Sequence, residues 1–207
     1  MVETNRCILS PGSGVDLKYF KYKKNHFTNE TRFLLFGRLL KEKGVLEFVK
    51  AAKKINSEKI NCKFKIVGSI DEKNPSSINK ELIKEFLKNK NNSFNNFSND
   101  IRKFIYWSNC VVLPSYREGT PRGLLEALSI GRPIITSNAV GCREVILNNK
   151  NGFITKIKDI DSVYLAFKKF HNLDLSSKVA MSKYSRKFVS KNFDEKKVIS
   201  IYEKILK

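Results

Sequence analysis

Two short segments, Val111-Val112-Leu113 and Ile134-Ile135, are apolar at every position and carry none of the polar alternation of a strand with one wet face. Such runs suit strands covered on both sides, as in a parallel sheet with helices on each face. The surrounding pattern agrees. A strand at Phe33 to Phe36 leads to a helix from about Lys43 to Ile55, with Val45, Leu46, Phe48, Val49 and Ala52 at helical spacing. A strand at Phe64 to Val67, closed by Gly68, leads to a helix over Ile78 to Lys88 with Leu82, Ile83, Phe86 and Leu87 on one face. Ser93 to Phe97 is short and poorly defined.

A helix from Asp100 to Trp107 comes next, then a strand Cys110 to Leu113, a loop Pro114 to Thr120 and a helix from Pro121 to about Ile130. Pro133 to Thr136 reads as a further strand, Cys142 to Leu147 as a short helix and Gly152 to Thr155 as a last strand. Helices follow over about Asp159 to Phe170, Ser176 to Phe188 and Asp194 to Ile205. The predicted fold is α/β: one Rossmann-like, doubly wound parallel sheet with extra C-terminal helices. Residues 1–31, with the connector Ser10-Pro11-Gly12-Ser13-Gly14, read as an interdomain-type linker outside the core. Residues 32–190 form the domain, and residues 191–207 a C-terminal helix.

With 207 residues the chain has room for one well-cored domain and an appendage, not for two full-sized α/β domains. No apolar run reaches the roughly 18 residues of a membrane span, and no apolar stretch follows the charged N-terminus as in a secretory signal. A cytoplasmic location is the expectation. Cys7, Cys62, Cys110 and Cys142 stand too far apart for a zinc or disulfide pattern and read as reduced core residues. His26 and His171 lack a partner at catalytic spacing. The net charge of +20 fits attraction to an anionic partner, and it fits equally a lysine-rich composition spread along helices.

Ligands of doubly wound sheets bind outside the carboxyl ends of the strands, so the loops after Phe36, Val67, Leu113 and Thr136 are the places to look. The first loop runs Gly37-Arg38-Leu39-Leu40-Lys41-Glu42-Lys43-Gly44: a glycine that turns the backbone, and two cations beside a helix N-terminus. It reads as a diphosphate cradle or as an ordinary solvated turn. The second runs Glu118-Gly119-Thr120-Pro121-Arg122-Gly123-Leu124-Leu125-Glu126, with Thr120 as N-cap and Pro121 as first helical residue. Free N–H groups there would receive an anion. Glu126 falls inside an apolar helix and needs partners, either ribose hydroxyls or a basic neighbour, unless it emerges at the helix edge. The third, Gly131-Arg132-Pro133 through Gly141-Cys142-Arg143-Glu144 to Asn151-Gly152-Phe153, forms one wall of such a site or a plain connection.

This ordered set of motifs resembles the C-terminal domain of family 4 glycosyltransferases of the GT-B fold, over essentially the whole chain from about Ser10. The resemblance implies a retaining hexosyltransferase domain that binds a nucleotide-diphosphate sugar, with no metal and no cofactor. By the same resemblance Arg38 and Lys43 hold the donor diphosphate and stabilise the leaving group. Glu126 then binds the ribose and Glu118 the donor sugar, while Gly37 and the backbone from Gly119 through Thr120, Pro121, Arg122 and Gly123 to Leu124 line phosphate and sugar. Tyr116 to Arg122 is similar to members that extend lipid-linked or capsular saccharides, which implies polysaccharide biosynthesis and a peripheral contact with the inner face of the membrane.

The run Phe94-Asn95-Asn96-Phe97 lacks the glycine common in the family, so the base is not carried over. Family members add an N-terminal Rossmann domain that binds the acceptor. A separate N-terminal half, or a homo-oligomer, is therefore the expected partner, with Ile199, Tyr202 and Ile205 of the last helix as docking residues. The rival functions are a nucleotide-binding module without catalysis and a basic nucleic-acid-binding domain. No helix-turn-helix, RNA-recognition or zinc signature supports the second, so no nucleic-acid partner is expected.

Overall fold

The structure is a computed structural model that describes residues 12–205. Six strands form one parallel sheet: β1 (Thr31–Phe36), β2 (Cys62–Val67), β3 (Asn92–Asn95), β4 (Cys110–Leu113), β5 (Ile134–Ser137) and β6 (Gly152–Thr155). Their order is β3-β2-β1-β4-β5-β6, with Phe33 opposite both Phe64 and Cys110. The helices are α1 (Val45–Ser57), α2 (Lys80–Leu87), α3 (Arg102–Trp107), α4 (Arg122–Ile130), α5 (Ile160–Asn172), α6 (Leu175–Asn192) and α7 (Glu195–Ile205).

The strand alternation decides which side each core occupies. Phe33 and Leu35 of β1 point with Phe64 and Ile66 of β2 into a core closed by α1, α2 and α5, where Phe48, Phe86, Phe167 and Phe170 meet them. Phe33 and Phe167 lie 4.5 Å apart between ring centroids. Leu34, Val67 and Val111 point the other way, toward α3, α4 and α6. Each buried ring contributes roughly 1.5–3 kcal/mol relative to exposure, so covering both faces is what holds the sheet together. Asn79, Asp159 and Asp174 cap α2, α5 and α6 by accepting from the N–H groups of Glu81, Ser162 and Ser177. Gly131 ends α4 in the left-handed conformation.

Several expectations need correction. Ser93 to Phe97 overlaps a true strand, β3, at the sheet edge; its polar sequence hides it, as only one neighbour among the described residues pairs with it. Cys142 to Leu147 yields a single 3-10 turn, Arg143–Val145, not a helix. The helix expected from Lys43 starts at Val45, after a 3-10 turn Lys41–Lys43 and the left-handed Gly44. Residues 12–31 are not outside the core: Val15 and Phe20 are buried with α4 and α6, and Lys23 donates its N–H to the Ile130 carbonyl. Ser10, Pro11 and Cys7 lie outside the described residues, as does the side chain of Ile205. Cys62, Cys110 and Cys142 are buried free thiols, and burial pushes Cys62 up to about 12. Among the described residues no helix is long and apolar enough to cross a membrane.

Candidate functional site

Strand order reverses between β1 and β4, and the loops leaving their carboxyl ends meet there. Tyr116 donates its N–H to the Glu42 carbonyl at 2.8 Å, which fastens the second loop to the first. Gly44 permits this approach: its φ is 71°, and a Cβ would overlap the Pro114 carbonyl oxygen. The loop after β5 supports the pair from behind. Glu118 donates its N–H to the Val140 carbonyl at 3.1 Å, and a Cβ at Gly141 would overlap the Glu118 and Gly119 carbonyl oxygens.

This packing brings two residues 75 positions apart into contact: Lys43 Nζ lies 2.6 Å from Glu118 Oε1, with Ser115 Oγ 2.8 Å from the same oxygen. Ser115 Oγ is also 2.8 Å from the Glu42 carbonyl, so its one proton serves either acceptor. The two side chains are only 22% and 11% exposed, which strengthens the ion pair above a surface one. Arg38, on the same loop, is exposed and forms no ion pair among the described residues.

The N-cap of α4 is Pro121, not Thr120. Pro121 has the extended backbone of a cap, and its carbonyl accepts from the N–H groups of both Leu124 and Leu125. Thr120 instead lies against Gly12. The N–H groups of Arg122 and Gly123 have no partner among the described residues, so the positive end of α4 is open. Leu124 is buried and its N–H is already donated.

Glu126 faces a cleft of about 700 Å³ whose walls include Phe36, Gly37, Gly68, Phe97 and Arg122. Its side chain is 13% exposed, and its one cationic partner among the described residues, Arg122, stands 3.4 Å away and is 67% exposed. Burial outweighs that exposed arginine and pushes the Glu126 carboxyl up to about 7. Of the two partners that the sequence left open, the basic neighbour is therefore present and weak. The carboxylate has room for hydroxyl donors on its cleft side. A second groove of about 730 Å³ runs between α1 and α2, but Asn92 on its wall opens β3, so it lies at the amino end of that strand.

Arg132 turns away from all this. At the amino end of β5 it is buried and donates to the carbonyls of Lys23, Ile105 and Tyr106. Asn151 is likewise internal, accepting from the Leu147 N–H and donating to the Val145 carbonyl. Sequence reasoning missed the pair Glu47 and Tyr116, in which the phenol donates to the carboxylate at 2.6 Å. A charged residue among the apolar positions of α1 was the available signal.

A family model described as "Glycosyl transferases group 1" matches residues 18–188. The capsular polysaccharide biosynthesis glycosyltransferase CapM of Staphylococcus aureus is 27% identical over 219 aligned residues, covering 99% of this chain and 57% of CapM. The UDP-Gal:alpha-D-GlcNAc-diphosphoundecaprenol alpha-1,3-galactosyltransferase of Escherichia coli is 34% identical over 147, covering 70% and 36%. Among solved structures, Anabaena HepE in complex with UDP shares the fold with a TM-score of 0.80 at 18% identity, covering 93% of this chain and 55% of HepE. The C-terminal domain of a glycosyl transferase group 1 family protein, LpcC, from Francisella tularensis matches at 0.76 and 22%, covering 87% and 99%. The chain thus spans little more than half, or less, of the curated relatives it matches.

Proposed function

The chain belongs to the glycosyl transferases group 1 family, and from that membership we propose that its strand-end cleft binds a nucleotide-diphosphate sugar for a retaining, family 4-type transfer. The observation that carries this is the meeting of Lys43 and Glu118 across the strand-order reversal, beside the open end of α4 and the cleft that holds Glu126. Arg38 and Lys43 supply positive charge to the diphosphate, with the Arg122 and Gly123 N–H groups. Glu126 accepts from ribose hydroxyls, and Glu118 from the sugar. As the sugar–phosphate bond breaks, negative charge grows on the departing phosphate, and these fixed donors stabilise it there.

The C-terminal-domain match in LpcC supports reading this chain as the donor-binding unit of a GT-B pair. One Rossmann unit offers one wall of the cleft, so a second unit holds the acceptor and brings its hydroxyl to the anomeric carbon on the face the phosphate leaves. The names of CapM and the Escherichia coli relative support a polysaccharide or lipid-linked acceptor.

In the free protein Glu118 already occupies Lys43, and this gives the assignment a directional test. Glu118→Gln removes the ion pair and frees Lys43, so calorimetric titration should show UDP bound as well as or more tightly than by the parent. UDP-glucose should bind on the order of tenfold more weakly, having lost a charge-assisted hydrogen bond. Equal weakening of both ligands would remove Glu118 from the sugar and Lys43 from the phosphate.

A further inference from the structure

Glu47 sits in the first turn of α1 and is only 4% exposed, between the fully buried Phe48 and Val45. A buried carboxylate requires compensation, and among the described residues it finds one donor: Tyr116 Oη, 2.6 Å from Oε1. Oε2 has no hydrogen-bond partner among the described residues. Tyr116 is two residues before Glu118, and it is held at both ends, by its N–H on the Glu42 carbonyl and by its hydroxyl on Glu47. Its ring carries the Lys158 ammonium 5.0 Å from the centroid. Burial and the adjacent carboxylate raise the phenol's pKa, which keeps the donating proton in place.

We infer that Glu47 and Tyr116 are a positioning pair that fixes the loop bearing Glu118 to the rigid body of α1. The loop's other anchors precede it at Ser115, whose hydroxyl meets the Glu42 carbonyl and whose carbonyl accepts from the Ser137 hydroxyl. Arg117 and Gly119 are exposed, and Glu118 reaches the domain through Lys43, Ser115 and one backbone bond to Val140. Helix α1 is a firm reference, because Phe48, Val49, Ala52 and Ile55 are packed in the main core. A buried polar pair is not the most stabilising way to fill such a site; its gain is a single geometry for the groups it joins. The consequence for a sugar donor rests on the functional reading above, whereas the effect on the loop does not.

The test uses the full chain with three variants, amide hydrogen exchange over residues 116–119, thermal unfolding, and titration with UDP and UDP-glucose. Tyr116→Phe leaves the buried carboxylate unpaired. It should lower the unfolding temperature, speed exchange in the loop on the order of tenfold, and weaken UDP-glucose far more than UDP. Glu47→Gln retains an acceptor for the phenol and should keep the loop protected. Replacing both partners, Tyr116→Phe with Glu47→Leu, removes the unpaired charge, so thermal stability should recover while the loop stays unprotected.

The inference is overturned if Tyr116→Phe leaves loop exchange at the parental rate, or if the double variant restores protection together with stability. A parent protein that binds neither ligand would defeat the donor reading, and the exchange data would still decide the pair.

Discussion

At about pH 8, Glu126→Gln should be more stable than the parent by roughly 3 kcal/mol and should bind UDP on the order of tenfold more weakly. The folded protein keeps the Glu126 proton up to about pH 7, whereas the unfolded chain releases it near the ordinary value of 4.5. Between those values the folded state binds more protons, so parental stability falls as pH rises, and the penalty is complete above the folded value. Glutamine is neutral throughout and avoids it. Below about pH 4.5 both proteins carry a neutral side chain and should be equally stable. Chemical denaturation at both ends of the window checks this, and a stability difference independent of pH would contradict it. The loss in UDP affinity has the opposite cause. An ionised carboxylate accepts more strongly from ribose hydroxyls than an amide does. A buried carboxylate that destabilises the fold and, on the proposed reading, binds the ligand is the kind of conflict expected at a functional site.

Arg132→Ala should be the most damaging single change to the fold, at about 3–5 kcal/mol. Arg132 is 1% exposed, and its guanidinium ties residues 12–31 to α3 through the carbonyls of Lys23, Ile105 and Tyr106. Burial lowers its pKa to about 10, so it remains charged at neutral pH and its bonds to the carbonyls are charge-assisted. Alanine would leave three carbonyls without that donor and open a cavity where one of the largest buried side chains stood. For a domain of this size the unfolding midpoint should drop on the order of 10 °C. Thermal unfolding followed by circular dichroism measures it, and a drop under about 3 °C would show that the segment is held by other means. Lys43 and Glu118 lie at the opposite end of the strands, so UDP affinity measured well below the midpoint should hardly change.

Arg132 also marks the limit of reading from sequence. Its partners are backbone carbonyls of distant residues, which have no side-chain signature, so in the sequence it falls within a loop motif that reads as a site wall or as a plain connection. The sheet was legible because Val111 to Leu113 and Ile134-Ile135 have no polar face, and α1 because its apolar residues recur every three to four positions. Val15 and Phe20 were not legible. They are isolated apolar residues in a polar, basic stretch, and only the folded surface of α4 and α6 gives them a place. At the site, each loop could be located because strand ends were known, whereas the Lys43–Glu118 contact depends on strand order, which no local pattern encodes. The cap of α4 shifted by one residue for a local reason: proline itself took the extended cap conformation.

On the proposed reading, the loops after β1 and β4 form the donor site. The most direct test is to follow backbone amide resonances of the chain while UDP is added in buffer containing EDTA. Shifts should concentrate on Gly37 to Gly44 and on Glu118 to Glu126, with the amides of Arg122 and Gly123 moving because they are open to a phosphate. The α1–α2 groove, including Lys53 and Asn89, should stay silent. Shifts confined to that groove, or binding that EDTA abolishes, would contradict the account.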